Sequence, residues 1–477
     1  MSMTEDAIMS TITDLVAMAP RATGTPGGEA AASYVAGRFT AAGLETEVLE
    51  VPSFAWRADA CGIRIGDDEI PCAPILHSGL TAHDWTGTAK HRVDARIVDI
   101  GADRVRHHDV RGAIVLFDLT FDMTVAHSLP LTMYLHDPGR RVLRRDVLRG
   151  RNPYVTSLAR TMTQAAAAGA VGVIGVLRDY PDSRNYHNEY YRRTLFPLPG
   201  AWVTRAEGAR LRTLVRDRPD AERRAHLTLD VTRDQVVSRT VIGVLPGRTR
   251  EAVMIQSHHD SIGPGAVEDA SGTAEVIALA EHYGAASASG AVREKTLLFV
   301  TFDTHFTGYQ AHQAFATRHV LARDRRWDIV LNATIEHIGL RAVEGADGGF
   351  ASTGETEPRG IFVNVNPAFT WRIARAVWRH GLHGTSLLGA GALEFFAGGI
   401  PTDASFTLVA GVPTISLISG PLYLYDDADT VERIDRAQLV PVARFFADLI
   451  DDADRRNGRM LGTMPTALRN LFSRGRW

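Results

Sequence analysis

The sequence predicts an α/β protein: an open, mostly parallel sheet flanked by helices, interrupted by an inserted β-rich α/β module. Three observations predict it. From residue 239 onward, short β-rich runs alternate with stretches of helical spacing. Those runs are largely apolar, as strands covered by helices on both faces are. Between residues 55 and 232 that rhythm breaks into shorter strands and aromatic, arginine-rich loops. The chain therefore divides into a discontinuous main unit, residues 1–54 and 233–477, and a module of residues 55–232.

In chain order, residues 4–19 and 28–43 read as amphipathic helices around the turn-rich "PRATGTPGG", and "ETEVLEVPSF" reads as a strand. The module holds the strands "RIVDI" and "AIVLFDL", then a helix, "SLARTMTQAAAAGA", feeding "VGVIGVL". Its loop "NYHNEYYRRTLFPLPG" reads as a lid or as packing between domains. In the main unit "TVIGVLP", "AVMIQS", "TLLFVTF", "IVLNATI" and "TISLIS" are strands, and "GTAEVIALAEHYGAA", "HQAFATRHVLAR" and "QLVPVARFFADLIDDA" are helices. The basic tail "RNLFSRGRW" reads as a solvated end.

The bulk composition narrows function by exclusion. A 45% apolar content with a net charge of −3 describes an ordinary globular protein, with no basic excess for nucleic acid or an anionic membrane. Lys90 and Lys295 are the only lysines, so the cationic residues are nearly all arginine. Two cysteines, Cys61 and Cys72, argue against a disulfide framework or a thiolate metal site. The N-terminal stretch carries acids early and has no basic start with an apolar core, and "AAAAGAVGVIGVL" is too short to span a bilayer. The expectation is a cytoplasmic location, with no membrane and no nucleic-acid partner. Whether the chain forms a homo-oligomer is left open.

In open α/β sheets, sites form beyond the carboxyl ends of the strands. After "AVMIQS" come His258 and Asp260; after "TLLFVTF" come Asp303 and His305; "IVLNATI" ends at Glu336 and His337; after "TISLIS" come Tyr425, Asp426 and Asp427. In "GAVEDASG" Asp269 adjoins the next helix and reads as its cap, leaving Glu268 free to point into a site. His259 and His337 read as packing or surface residues. Imidazoles and carboxylates without thiolates suit zinc, iron, manganese or cobalt better than calcium.

The ordered stretches "PRATGTPGGEAAASYVAGRFTAAGLETEV", "SHHDS", "PGAVEDASGTAEV", "LLFVTFDTHFTG", "LNATIEHIG" and "LYDDADTVERID" resemble the landmarks of the zinc-dependent aminopeptidase family that includes bacterial leucyl aminopeptidases and glutamate carboxypeptidase. Residues 55–232 resemble the protease-associated domain that many members carry. The resemblance implies that His258 is a metal ligand with Asp260 behind it. It also implies that Glu268 and Glu336 stand for two metal-binding aspartates, and that His305 replaces the general-base glutamate. Phe306 and Tyr425 stand where the family has a glutamate and a histidine for one of its two ions. The resemblance, with these departures, implies a single divalent transition metal ion, zinc first and iron, manganese or cobalt also accommodated. Its ligands would be His258, Glu268 and Glu336, with His305 as fourth ligand or as base. Asp260 would orient His258, and Tyr425 would donate to a developing oxyanion. The implied activity is hydrolysis of an amide or related C–N bond in a small-molecule or short peptide-like substrate. A lyase, transferase or non-haem iron reaction, or a binding protein without catalysis, remain the alternatives.

Overall fold

A computed structural model describes residues 3–188, 195–219, 222–391, 399–463, and the single positions 465, 468 and 471. The middle of the aromatic loop and nearly all of the basic tail lie outside the described residues.

Two long strands organise the fold. Glu45–Ile65 pairs antiparallel with Arg224–Leu245, with one irregularity between Ala58 and Ala60. Both strands run without a break through residues 54–55 and 232–233, where the texture of the sequence changes. Arg224–Leu245 pairs along its first half with Gly87–Gly101 and along its second with Thr296–Phe302, so hydrogen bonding is continuous from module to main unit.

Beyond Thr296–Phe302 the sheet continues through Glu251–His258, Asp328–Ile335, Thr414–Ser419, Arg359–Asn364 and Thr385–Gly389. The run from Thr296–Phe302 to Thr414–Ser419 is parallel. The flanks are not: Arg224–Leu245 meets Thr296–Phe302 antiparallel, and so does Arg359–Asn364 against Thr414–Ser419. The sheet is therefore mixed, parallel at its centre, rather than mostly parallel. Its far edge is closed by Thr132–His136, a strand lent by the module.

Side chains alternate across the central strands and supply both cores. Val253, Ile255, Leu297 and Phe299 face the helices Glu5–Ala17, Pro26–Ala41, Ser271–Ala288 and Arg436–Asp454. Met254, Leu298, Val300 and Phe302 face Ala311, Phe315 and Trp327 on the other side. Thr4 and Thr25 cap the first two helices through their side chains. Burial on both faces explains the largely apolar runs, and the ionisable side chains collect beyond the strand ends.

Candidate metal centre

The centre is built where Glu251–His258 stops. His258 is its last residue, and the bend that follows is gripped by Arg21. That guanidinium, fully buried, donates to the carbonyls of His259 at 2.9 Å, Pro264 at 2.8 Å, Gly265 at 2.8 Å and Leu15 at 3.1 Å. The N-terminal "PRATGTPGG" stretch thus fixes the shape of the loop. Asp429 accepts from the backbone N–H groups of Val267 and Glu268 and holds the next segment.

Glu268 and Asp269 separate as their positions suggest. Asp269 accepts from Gly272 N–H at 3.0 Å, His337 N–H at 3.1 Å and Ser257 Oγ at 2.5 Å, tying the start of helix Ser271–Ala288 to the neighbouring strands. A Cβ at Gly272 would collide with the Ile335 carbonyl and with the Asp269 and Ser257 side chains, so only glycine admits this approach. Glu268 points into the centre. Its Oε1 lies 3.3 Å from His258 Nε2 and 3.4 Å from His305 Nε2, and its Oε2 lies 2.6 Å from His337 Nε2.

Each imidazole is oriented from behind. His258 Nδ1 faces the Asp260 carbonyl at 3.1 Å and Asp260 Oδ1 at 3.3 Å. His305 Nδ1 donates to Asp403 Oδ1 at 2.9 Å, and His312 Nε2 donates to Asp403 Oδ2 at 2.9 Å. His337 Nδ1 lies 2.8 Å from the Ser419 carbonyl, which can only accept, and 2.7 Å from the Tyr154 hydroxyl. Protons are thereby placed on the Nδ1 atoms of His305 and His337, which turns both Nε2 atoms toward the centre as acceptors; that of His305 also lies 3.3 Å from the Tyr309 hydroxyl. The His258 and His305 rings stack at 4.0 Å.

These residues fit a metal ion. Bonds of 2.0–2.1 Å in a tetrahedral site separate neighbouring donor atoms by about 3.3–3.4 Å, the spacing of His258 Nε2 from Glu268 Oε1. Among the described residues His258 Nε2, His337 Nε2 and both Glu268 oxygens are buried with no hydrogen bond, and His337 Nε2 lies 2.6 Å from Glu268 Oε2. Burial alone would push Glu268 up, but His337 and His258 hold it well below the usual carboxylate range. Burial would lower His337, yet Glu268 raises it to about 9, and His258 is raised likewise by Asp260, Asp403 and Glu268. Positive charge is thus demanded where a cation would sit. Two donor groups, His258–Glu268–His337 and His258–His305–Asp403, each keep their atoms within 4.8 Å. They overlap at His258, and in the second group Asp403 is already taken up by His305 Nδ1 and His312 Nε2, so the arrangement is a site for a single transition-metal ion.

The centre differs in part from the set read in the sequence. His258, Glu268 and His305 come together, with Asp260 behind His258. Glu336 belongs to neither donor group; its Oε1 accepts from Asp403 N–H at 3.0 Å. Its neighbour His337 reaches the centre instead, at a turn where its φ is 60°. Tyr425 is buried with its ring edge-on to Phe306 at 6.2 Å, and His187 lies against both, forming an aromatic wall. Asp426 is taken up by Ser183 and Tyr180 of the module, and Asp303 by Thr23 Oγ1 and two backbone N–H groups. Asp427 sits near Gly263 in the loop.

Sequence reading missed Asp403, His312 and Tyr154. Tyr154 comes from the module, as do His77, which meets the Phe306 carbonyl at 2.7 Å, and His187, whose N–H donates to the Tyr425 carbonyl at 2.8 Å. Residues of the 55–232 stretch thus line part of the centre.

Residues 240–346 match the model of Peptidase family M28. The fold is similar to an aminopeptidase from Aneurinibacillus sp. strain AM-1, at 18% identity and a TM-score of 0.60, covering 95% of both chains. It is similar to a zinc aminopeptidase from Bacillus subtilis, at 16% identity and a TM-score of 0.65, covering 97% of this chain and 98% of that one. It is also similar to a peptidase M28 precursor from Shewanella amazonensis SB2B, at 18% identity and a TM-score of 0.64, covering 96% and 95%. No curated protein matches by sequence. The chain has an M28 aminopeptidase-like fold.

Proposed function

We propose that the protein is a metal-dependent hydrolase of an amide or related C–N bond, working with one ion on a scaffold whose relatives include zinc aminopeptidases. The observation that carries this reading is the convergence of three imidazole Nε2 atoms on the Glu268 carboxylate, one of them backed by Asp403 and His312.

In this reading His258, Glu268 and His337 hold the ion. When bound, it polarises a substrate carbonyl and acidifies water. His305 stands beside it as the base: Asp403 fixes its Nδ1–H, so Nε2 is the atom that accepts the proton. Although burial opposes ionisation, His312 and then His305 keep Asp403 well below the usual carboxylate range, and its charge stabilises the imidazolium that forms. Asp260 orients His258. Phe306, Tyr425 and His187 keep bulk water from one side, and the Tyr425 hydroxyl donates to the developing oxyanion. Residues 55–232 act as a protease-associated-like cover that helps select the substrate.

Two histidines and one carboxylate also suit iron(II), and the grouping of His258, His337 and Glu268 favours that second reading over other redox metals. The test is elemental analysis, then turnover of amino-acyl and simple amides by the protein loaded with the metal found. Hydrolysis that His305→Gln abolishes while metal is retained supports the reading. Absence of hydrolysis across the panel, with iron bound and dioxygen consumed, would replace it.

A further inference from the structure

We infer that Cys61 and Cys72 form an oxidisable dithiol, a modification site for small-molecule disulfides outside the metal centre. Cys61 lies near the end of Glu45–Ile65, which turns at Gly66 (φ +61°) and pairs with Asp68–Ile70 in the register Ile63↔Ile70, Arg64↔Glu69, Ile65↔Asp68. Continuing that register sets Gly62 against Pro71 and Cys61 against Cys72. Their Sγ atoms are 3.7 Å apart.

A disulfide needs about 2.05 Å between sulfurs. The required closure falls at the open end of a hairpin. Pro71 has no N–H to extend the ladder, and Gly62 has no side chain to resist the movement. The sulfurs are half-buried at the wall of a cavity of about 700 Å³ shared with Arg64, Arg184, Asn185 and His226, which gives a small disulfide room to approach.

Arg184 lines the same cavity and sets a positive charge toward Cys72, which takes the first step. The Cys61 S–H, then the Ile63 N–H and the Arg184 charge, hold the Cys72 thiol below its ordinary value against burial. The Cys61 thiol is pushed up by its contact with Cys72 and by burial. The Cys72 thiolate attacks one sulfur of the small disulfide; that S–S bond breaks, one thiolate leaves, and a mixed disulfide forms on Cys72. Cys61 then loses its proton to water and attacks Cys72 Sγ, expelling the second small thiolate. Two protein thiols lose two electrons and two protons, and the reagent is reduced to two thiols.

The test uses the full-length reduced protein and oxidised glutathione, read by intact mass, native alkylation and peptide mapping. The expected product has lost two hydrogen atoms, carries a Cys61–Cys72 cross-link, and has lost both alkylation sites. Cys61→Ser is expected to stop at a stable glutathione adduct on Cys72, with Cys61→Ala as a second variant should the first fail to fold. A wild-type protein that keeps a glutathione adduct, or whose two cysteines still alkylate after treatment, would overturn the proposal.

Discussion

Replacing Asp403 with Asn changes charge at the centre while keeping its shape. The carboxylate serves two donors, His305 Nδ1 and His312 Nε2, each at 2.9 Å, while its backbone N–H to Glu336 is untouched by the change. An amide offers one acceptor where the carboxylate offers two. If the amide oxygen keeps His305, its NH₂ meets the His312 Nε2 proton, and that proton must shift to Nδ1, a buried atom with no partner among the described residues. If the amide turns over, its NH₂ faces His305 Nδ1, the proton moves to Nε2, and the lone pair leaves the centre. Hydrogen bonds to charged groups contribute about 1.5–3 kcal/mol each. Losing one beside a forming imidazolium corresponds to roughly a 10–100-fold fall in turnover. The assay is kcat and KM at neutral pH on a hydrolysed amide, with metal content and the ¹⁵N shifts of the His305 ring measured on the same samples. The expected result is a lowered kcat, a nearly constant KM and retained metal. An unchanged kcat with an unchanged His305 tautomer would refute the reasoning.

Further outcomes follow from the same geometry. His258→Ala and His337→Ala should each abolish metal retention, checked by elemental analysis, whereas His305→Gln should keep the ion and lose turnover. Arg21→Met strands four buried carbonyls and should cost about 3–5 kcal/mol in denaturant unfolding, with weakened metal retention because the His258–Gly265 bend loosens. Glu357 gives a pH signature: burial raises it from 4.5 to about 8, only partly offset by Arg341. The folded chain keeps a proton that the unfolded chain releases between those values. Its stabilising contribution is therefore complete below about pH 4.5 and is lost as pH rises through about 8. Glu357→Gln should then gain stability over the wild type as pH increases, on the order of 5 kcal/mol by alkaline pH. A gap that does not widen with pH would exclude a buried neutral carboxyl there.

Much of the centre was legible because its chemistry is local to strand ends. The apolar runs stop at His258, Phe302 and Ile335, and polar residues crowd the next few positions, so their convergence follows from sheet topology. The choice between Glu336 and His337 was not legible. The resemblance makes Glu336 a ligand, but the strand ends at Ile335 and the chain turns through a positive φ at His337, so sequence position does not decide which of the two side chains faces the centre. Asp403 lies in a loop far along the chain, and Tyr154 comes from the module; neither has a neighbouring motif to mark it. Strand direction was hidden for a related reason. An apolar run reports burial on both faces and says nothing of polarity, so the antiparallel return of Arg359–Asn364 and the strand Thr132–His136 lent by the module left no trace in the pattern.

The central claim is that His258, Glu268 and His337 hold a single ion, with Asp403 engaged by His305 and His312 instead of a second one. Elemental analysis of the full chain, purified without chelator and dialysed against metal-free buffer, measures this directly. The account predicts one equivalent of a transition metal per chain, lost in His258→Ala. Two equivalents, or none in protein whose fold is intact, would contradict it.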